Sequence, residues 1–159
     1  MTQQLIDILH QENCSLVVQD TKGEIRTFFK KGVRDLEDLL DHEPSFLRGA
    51  MIADKVIGKA AAGMAAFGGV REIYADVMSR HALPLLEENS IAYSYDTLVD
   101  QIVIPIGDTR CRLEEIVAPA QSAKEVVAML RHHWEKKRFP QLSQVERSSE
   151  VTEVQEFRQ

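Results

Sequence analysis

The stretch of residues 48–69, RGAMIADKVIGKAAAGMAAFGG, constrains the fold more than any other part of the chain. Its apolar run at 49–53 is typical of a buried strand. A helix of small residues is predicted from about 55 to 67, and Gly68 and Gly69 are typical of its end. In open α/β sheets, ligands bind where strand ends meet helix N-termini. The sequence therefore predicts a site around Asp54 and Lys55.

The remaining hydrophobic pattern alternates between the strand and helix periods. Strands are predicted at 14–19 and 24–29, joined by the turn residues 20–23, which indicates a hairpin. Further strands are predicted at 70–76 and 91–95, an edge strand at 102–104, and helices at 2–11, 33–42, 80–88 and 123–138, with Ser79 as a candidate cap and only a short turn at 111–117. We therefore expect an α/β fold of three α-β-α layers, with a mixed sheet that begins with a hairpin.

Length and composition indicate one domain. A chain of 159 residues that is 44% hydrophobic and 28% charged fits a single soluble domain. Beyond Pro140 the composition shifts to Gln, Ser, Glu and Arg. We predict one α/β domain over residues 1–138 and a mobile polar tail over 139–159.

The charge balance bears on the class of partner. A net charge of −6 disfavours a nucleic-acid binder, which needs clustered Lys and Arg to neutralise phosphates. Two distant cysteines favour a reducing compartment, and neither a signal peptide nor a membrane span is predicted. We expect a cytoplasmic protein without nucleic-acid or membrane partners.

The predicted junction carries an acid and two lysines. Asp54 is expected to cap the helix or to contact a ligand hydroxyl or amine. Lys55 and Lys59, four residues apart, would project from one helical face and hold a phosphate or carboxylate. The alternative for both lysines is a solvated surface that only keeps the helix soluble.

Small residues dominate the helix that follows. Gly58 and Gly63 lie among alanines, and a glycine inside a helix costs about 1 kcal/mol relative to alanine. Close backbone contact should offset that cost. The sequence leaves open whether the contact is with the core, a second copy of the chain or a ligand.

Cys111 is the candidate nucleophile. Arg110 and Arg112 flank it, which favours the thiolate, and Glu114 follows three residues later. The alternative is an inert, partly buried cysteine, which is also the interpretation of Cys14 within a predicted strand.

Metal and nucleotide motifs are missing from the sequence. His-x-Glu occurs at His10 and at His133, but no Cys-x-x-Cys accompanies either, and Cys111 with Glu114 offers too few ligands for zinc. Walker, dinucleotide-binding and G-x-S-x-G motifs do not occur. We therefore expect no metal and no cofactor.

The segment GAMIADKVIGKAAAGMAAFGGVREIYADVMS and the later CRLEE resemble a small uncharacterised bacterial domain family whose fold is similar to that of cytidine deaminase. The resemblance covers about residues 5–117 and is most specific over 54–61. It implies a pocket in the same general place as in the deaminases. It does not imply zinc-dependent deamination, because the two corresponding helices lack His-x-Glu and Cys-x-x-Cys.

The sequence is compatible with three functions. The first is a zinc-free, deaminase-like domain that binds a small anionic or nucleotide-like metabolite at Asp54, Lys55, Gly58 and Lys59, bordered by Cys111 and Glu114. The second is an enzyme that uses Cys111 as nucleophile, with Glu114 handling charge or protons. The third is an interaction module that forms a homodimer through its Ala/Gly helix.

Overall fold

The structure of the protein is a computed structural model that describes residues 3–30, 32–102 and 112–138. Its elements in chain order are α1 (Gln3–Gln11), β1 (Leu16–Gln19), β2 (Ile25–Phe28), α2 (Arg34–His42), α3 (Pro44–Leu47), β3 (Met51–Ile57), α4 (Lys59–Phe67), β4 (Glu72–Ser79), a short 3-10 helix (Arg80–Ala82), α5 (Leu83–Glu88), β5 (Ala92–Val99), α6 (Arg112–Val117) and α7 (Ala123–Arg138).

Within the described ranges, five strands form one mixed sheet in the order β2-β1-β3-β4-β5. β1 pairs antiparallel with both β2 and β3, while β3, β4 and β5 run parallel. The predicted hairpin, the mixed sheet and the α/β class are therefore confirmed. The hairpin turn is held by Asp20, whose carboxylate accepts hydrogen bonds from the backbone N–H groups of Lys22 at 3.0 Å and Glu24 at 2.8 Å.

Each face of the sheet carries a hydrophobic core. Val17, Ala53 and Tyr74 belong to a smaller cluster that α1 covers with Leu5 and Leu9. Their strand neighbours belong to a larger cluster that includes residues of α2 and α4 to α7. Because successive strand residues point to opposite faces, helices lie on both sides of the sheet.

The small residues of α4 are used for packing inside the domain. A Cβ on Gly63 would lie 2.6 Å from Val126 Cβ on α7, closer than packed side chains allow. Ala60, Ala61 and Ala62 are also buried in the larger cluster. Of the contacts that the sequence left open, the structure shows close approach of α7 to Gly63.

The main difference from the predicted elements lies at the end of β3. The strand continues to Ile57, four residues beyond the predicted end, because it is paired with β4 up to Ile57 and Met78. Asp54 and Lys55 therefore lie within the strand, and α4 begins only at Lys59. The prediction of a helix from Lys55 is wrong at its start.

Two other regions also differ from the sequence prediction. Residues Arg112–Val117 form a helix where only a turn was predicted. The predicted helix 80–88 is divided into the 3-10 turn and α5, with Pro84 in the first turn of α5. Ser79 does cap this region, since its Oγ accepts a hydrogen bond from the His81 N–H at 3.1 Å.

Several predictions fall outside the described residues. These are Cys111, the predicted edge strand beyond Ile102, the start of the first helix at Thr2 and the tail 139–159. Among the described helices, none combines the length and apolarity needed to cross a membrane.

Candidate functional site

Asp54 lies in the middle of the sheet, on the face of the larger core. In the strand registers it is paired with Leu16 of β1 and Ala75 of β4, both of which belong to that core. The residue is only 9% exposed. Its carboxyl group is thus flanked by apolar side chains in a largely water-free position.

The surroundings of Asp54 disfavour its charge. Burial raises the pKa of its carboxyl to about 7, against the opposing effect of the backbone N–H groups of Val56 and Lys55. Asp54 Oδ1 accepts the Val56 N–H at 3.2 Å. Over the described ranges of the chain, no Lys, Arg or His forms an ion pair with this carboxylate. Asp54 can therefore hold or release a proton near neutral pH.

A second buried acid, Asp35 in the first turn of α2, was missed by the sequence analysis. It is 6% exposed, and its Oδ2 accepts the Lys30 backbone N–H at 3.1 Å. Burial raises the pKa of Asp35, and its charge in turn raises the pKa of Asp54. An acidic residue in the first turn of a predicted helix was the available signal, but such residues are ordinarily exposed.

Glu114 of α6 binds the start of α4. Its carboxylate accepts the backbone N–H of Lys59 at 3.0 Å through Oε2 and that of Ala60 at 3.2 Å through Oε1. The N-cap residue of α4 is Gly58, which supplies no side-chain hydrogen bond. Glu114 thus fills the capping role that the sequence analysis assigned to Asp54, which lies inside β3 instead.

Gly58, Lys59 and Glu114, three of the predicted site residues, are therefore neighbours. Lys59 adds a second link between the two helices, because its Nζ donates a hydrogen bond to the Ala118 carbonyl oxygen at 2.8 Å. This carbonyl directly follows the last residue of α6. Both the backbone and the side chain of Lys59 are consequently engaged by α6 and the residue that follows it.

Lys55 lies elsewhere. Its Nζ donates a hydrogen bond to Asn13 Oδ1, which lies just beyond α1. As a strand residue next to Asp54, it points to the opposite face of the sheet. The prediction that Lys55 and Lys59 share one helical face is wrong, since only Lys59 belongs to α4.

The face that carries Lys55 also has a polar network that the sequence analysis did not predict. Asp76 Oδ1 of β4 accepts the Tyr74 hydroxyl and lies within hydrogen-bond distance of His10 Nε2, each at 2.7 Å. Burial, followed by the bond to Asp76, raises the pKa of Tyr74 to about 12. The network ties α1 to β4 and lies on the other side of the sheet from Asp54.

The family of the chain is shown by its sequence. The profile described as "TM1506: Domain of unknown function (DUF1893)" matches residues 4–134. The chain belongs to the DUF1893 family. No curated protein shows a significant match to it.

A solved structure shares the fold of this DUF1893 domain. The crystal structure of a DUF1893 family protein (TM1506) from Thermotoga maritima matches it with a TM-score of 0.72 and 23% sequence identity. The match covers 84% of this chain and 92% of the Thermotoga chain. At this identity the likeness shows the fold alone.

The other candidate groups of this DUF1893 domain contribute less to the site. Cys111 lies outside the described residues, whereas Cys14 is fully buried in the smaller core and burial raises the pKa of its thiol. In the part of the chain that the structure describes, no three His, Cys, Asp or Glu side chains are grouped to hold a metal ion. The described site therefore consists of buried carboxylates beside a helix start that already binds Glu114.

Proposed function

We propose that this DUF1893 domain binds a small polar metabolite where β3 ends and α4 begins, in a zinc-free relative of the deaminase fold. Asp54 contacts the ligand, and Gly58 and Lys59 border it. The observation that carries the proposal is Asp54 itself, a carboxyl group that is buried in the sheet with backbone donors but no cationic partner among the described residues.

A buried carboxylate without a cation is unfavourable for folding. Transfer of a charged group out of water costs several kcal/mol unless hydrogen bonds and opposite charges compensate. Two apolar neighbours, Leu16 and Ala75, would allow the same strand to form around an apolar residue. A ligand group that pairs with Asp54 supplies the missing compensation, and acids with strongly perturbed pKa values are concentrated at functional sites.

Val56 provides the approach to this group. Its backbone N–H contacts the Asp54 carboxylate, and the residue is 44% exposed. Asp54 is 9% exposed, and Val56, two residues further along β3, is open to solvent. A small molecule that binds over Val56 would bury an apolar side chain and reach a carboxyl oxygen.

A second candidate is a nucleotide-like ligand whose anionic group binds at the start of α4. The observation that favours it is the carboxylate of Glu114 on the N–H groups of Lys59 and Ala60, because helix N-termini bind oxyanions in general. A phosphate would have to replace Glu114 in this position. Glu114→Gln, which weakens the internal competitor, is expected to increase phosphate affinity if this candidate is correct.

Native mass spectrometry of the purified full chain, followed by thermal unfolding with a metabolite panel, tests the proposal. A ligand at a hundredfold excess over its Kd stabilises a protein by about 2.7 kcal/mol. We expect such a ligand to raise the Tm of the wild type and of Lys55→Ala, and to raise that of Asp54→Asn much less. Equal stabilisation of wild type and Asp54→Asn, or no stabilisation by any metabolite, would overturn it.

A further inference from the structure

We infer that the ligand group received by Asp54 is a cationic nitrogen group, an amine or an amidine, rather than an anion. This inference rests on the proposed function and names its ligand class. It follows from a comparison of the charged groups of the site that already have partners within the protein with those that do not.

Among the described residues, the two lysines at the β3–α4 junction and the first N–H groups of α4 already have hydrogen-bond partners. Lys59 Nζ donates a hydrogen bond to the Ala118 carbonyl oxygen, and the first N–H groups of α4 donate hydrogen bonds to the Glu114 carboxylate. Lys55 is bonded to Asn13 on the opposite face. An anionic ligand would have to break one of these contacts before it gained its own.

The groups that remain are acidic. Asp54 has no side-chain partner among the described residues, and the charges acting on it from the packed elements are those of Asp35 on α2 and Asp76 on β4. The thiol of Cys14, which precedes β1, is the other titratable group that senses Asp54. Leu16 and Ala75, the partners of Asp54 in the two flanking strands, carry no charge.

A cationic ligand group compensates the negative charge of Asp54, whereas a neutral group does not. It pairs with the ionised carboxylate, relieves its repulsion from Asp35 and Asp76, and forms charge-assisted hydrogen bonds in a site of low dielectric. An anion would add to the repulsion. The acid–base balance of the site thus favours a ligand that brings positive charge with it.

Proton linkage gives the inference a quantitative signature. Since the pKa of free Asp54 is about 7, a bound cation must displace the proton from the fraction of molecules that is protonated. At pH 7 binding would release about half a proton, and affinity at pH 5 would be roughly 50-fold weaker than at pH 7. The released proton is measurable by calorimetry in buffers that differ in ionisation enthalpy.

The experiment uses matched probes on the full chain. Benzamidine, benzamide and benzoate share one ring and carry positive, zero and negative charge; methylguanidinium and methylurea form a smaller pair. We expect at least one cation to bind more tightly than its matched probes, with proton release at pH 7. Asp54→Asn should abolish both effects, whereas Asp7→Asn, the same change at an exposed acid of α1, should retain them.

The outcomes separate the two proposals. If the neutral or anionic probes bind as tightly as the cations, or if cation binding is independent of pH or of Asp54, the inference is overturned. If a co-purified metabolite is neutral or anionic and still requires Asp54, the proposed function stands and the inference falls. If neither probes nor metabolites depend on Asp54, both fall.

Discussion

The carboxylate of Glu114 lies directly against the backbone of Gly58, and a Cβ on Gly58 would come within 2.7 Å of Glu114 Cδ. The absence of a side chain at Gly58 is what allows an acid from α6 to reach the first N–H groups of α4. One glycine therefore couples the start of a central helix to a segment more than fifty residues later in the chain.

Gly58→Ala should destabilise the domain through Glu114. The backbone of Gly58, at φ −101°, suits any residue, so the cost arises from the collision and not from strain. Because the Glu114 carboxylate is the end of a flexible side chain and can move aside, we expect a loss of about 1 kcal/mol in the free energy of unfolding by urea, the value of the cap that it gives up. Glu114→Ala alone should cost about 1 kcal/mol, the usual value of a helix cap.

The double variant Gly58→Ala/Glu114→Ala checks the mechanism. Because the truncated residue 114 no longer collides with the new Cβ, the double variant should be more stable than the sum of the single effects predicts. Strictly additive losses would show that the two residues act separately.

Gly63→Ala should loosen the packing of α4 on α7. The added Cβ would lie 2.6 Å from Val126 Cβ, which side-chain rotation cannot move, so α7 must shift. Although alanine is the better helix former, we expect a net loss of about 1 to 2 kcal/mol in urea unfolding. Val126→Ala should recover part of it, and a Gly63→Ala variant more stable than wild type would contradict this packing.

Asp54→Asn should remove a pH dependence of stability. The pKa of Asp54 is about 7 in the folded protein and near 3.8 in an ordinary setting, so the folded state binds more protons between these values. Stability attributed to Asp54 is fully present below about pH 4 and is lost as pH rises to about 7. The wild type should lose up to about 4 kcal/mol relative to Asp54→Asn over this range.

Urea unfolding at a series of pH values measures this difference. Asp7→Asn, which removes an exposed acid from α1, is the matched control and should follow the wild type. A constant difference between wild type and Asp54→Asn from pH 4 to about 8 would mean that Asp54 titrates like an exposed acid.

Removal of either partner of the Tyr74–Asp76 hydrogen bond should lower the free energy of unfolding, but by different amounts. Tyr74→Phe leaves Asp76 partly hydrated and should cost about 1 kcal/mol, whereas Asp76→Ala leaves a buried hydroxyl unpaired and should cost about 1 to 3 kcal/mol. In the Tyr74→Phe background the Asp76→Ala change should cost less. Equal costs of Asp76→Ala in both backgrounds would show that the hydroxyl finds another partner.

The sequence predicted most of the fold because its signals are local. The turn residues 20–23 between two runs of β-forming residues indicated the hairpin, and the apolar positions of 123–138 matched α7 at both ends. The end of β3 was placed too early because Asp54 and Lys55 are polar. Polar residues ordinarily end a buried strand, but here pairing with β1 and β4 holds them in it.

The candidate site was predicted only in part. Gly58, Lys59 and Glu114 were singled out and do lie together, whereas Lys55 and the buried Asp35 could not be assigned correctly. Whether an acid is exposed or buried depends on what packs over it. The elements that cover an acid are distant in the chain, so its burial cannot be predicted from the residues next to it in the sequence.

Apart from α3 and α6, the sequence by itself determined the order of strands and helices, the hairpin and the small-residue helix, since these depend on backbone preferences and on the spacing of apolar residues within a few turns. Tertiary structure alone decided that Glu114 caps α4, that the two lysines diverge and that Asp54 retains a proton near neutrality. Those properties depend on contacts and burial between segments that are distant in the sequence and come together only in the folded protein.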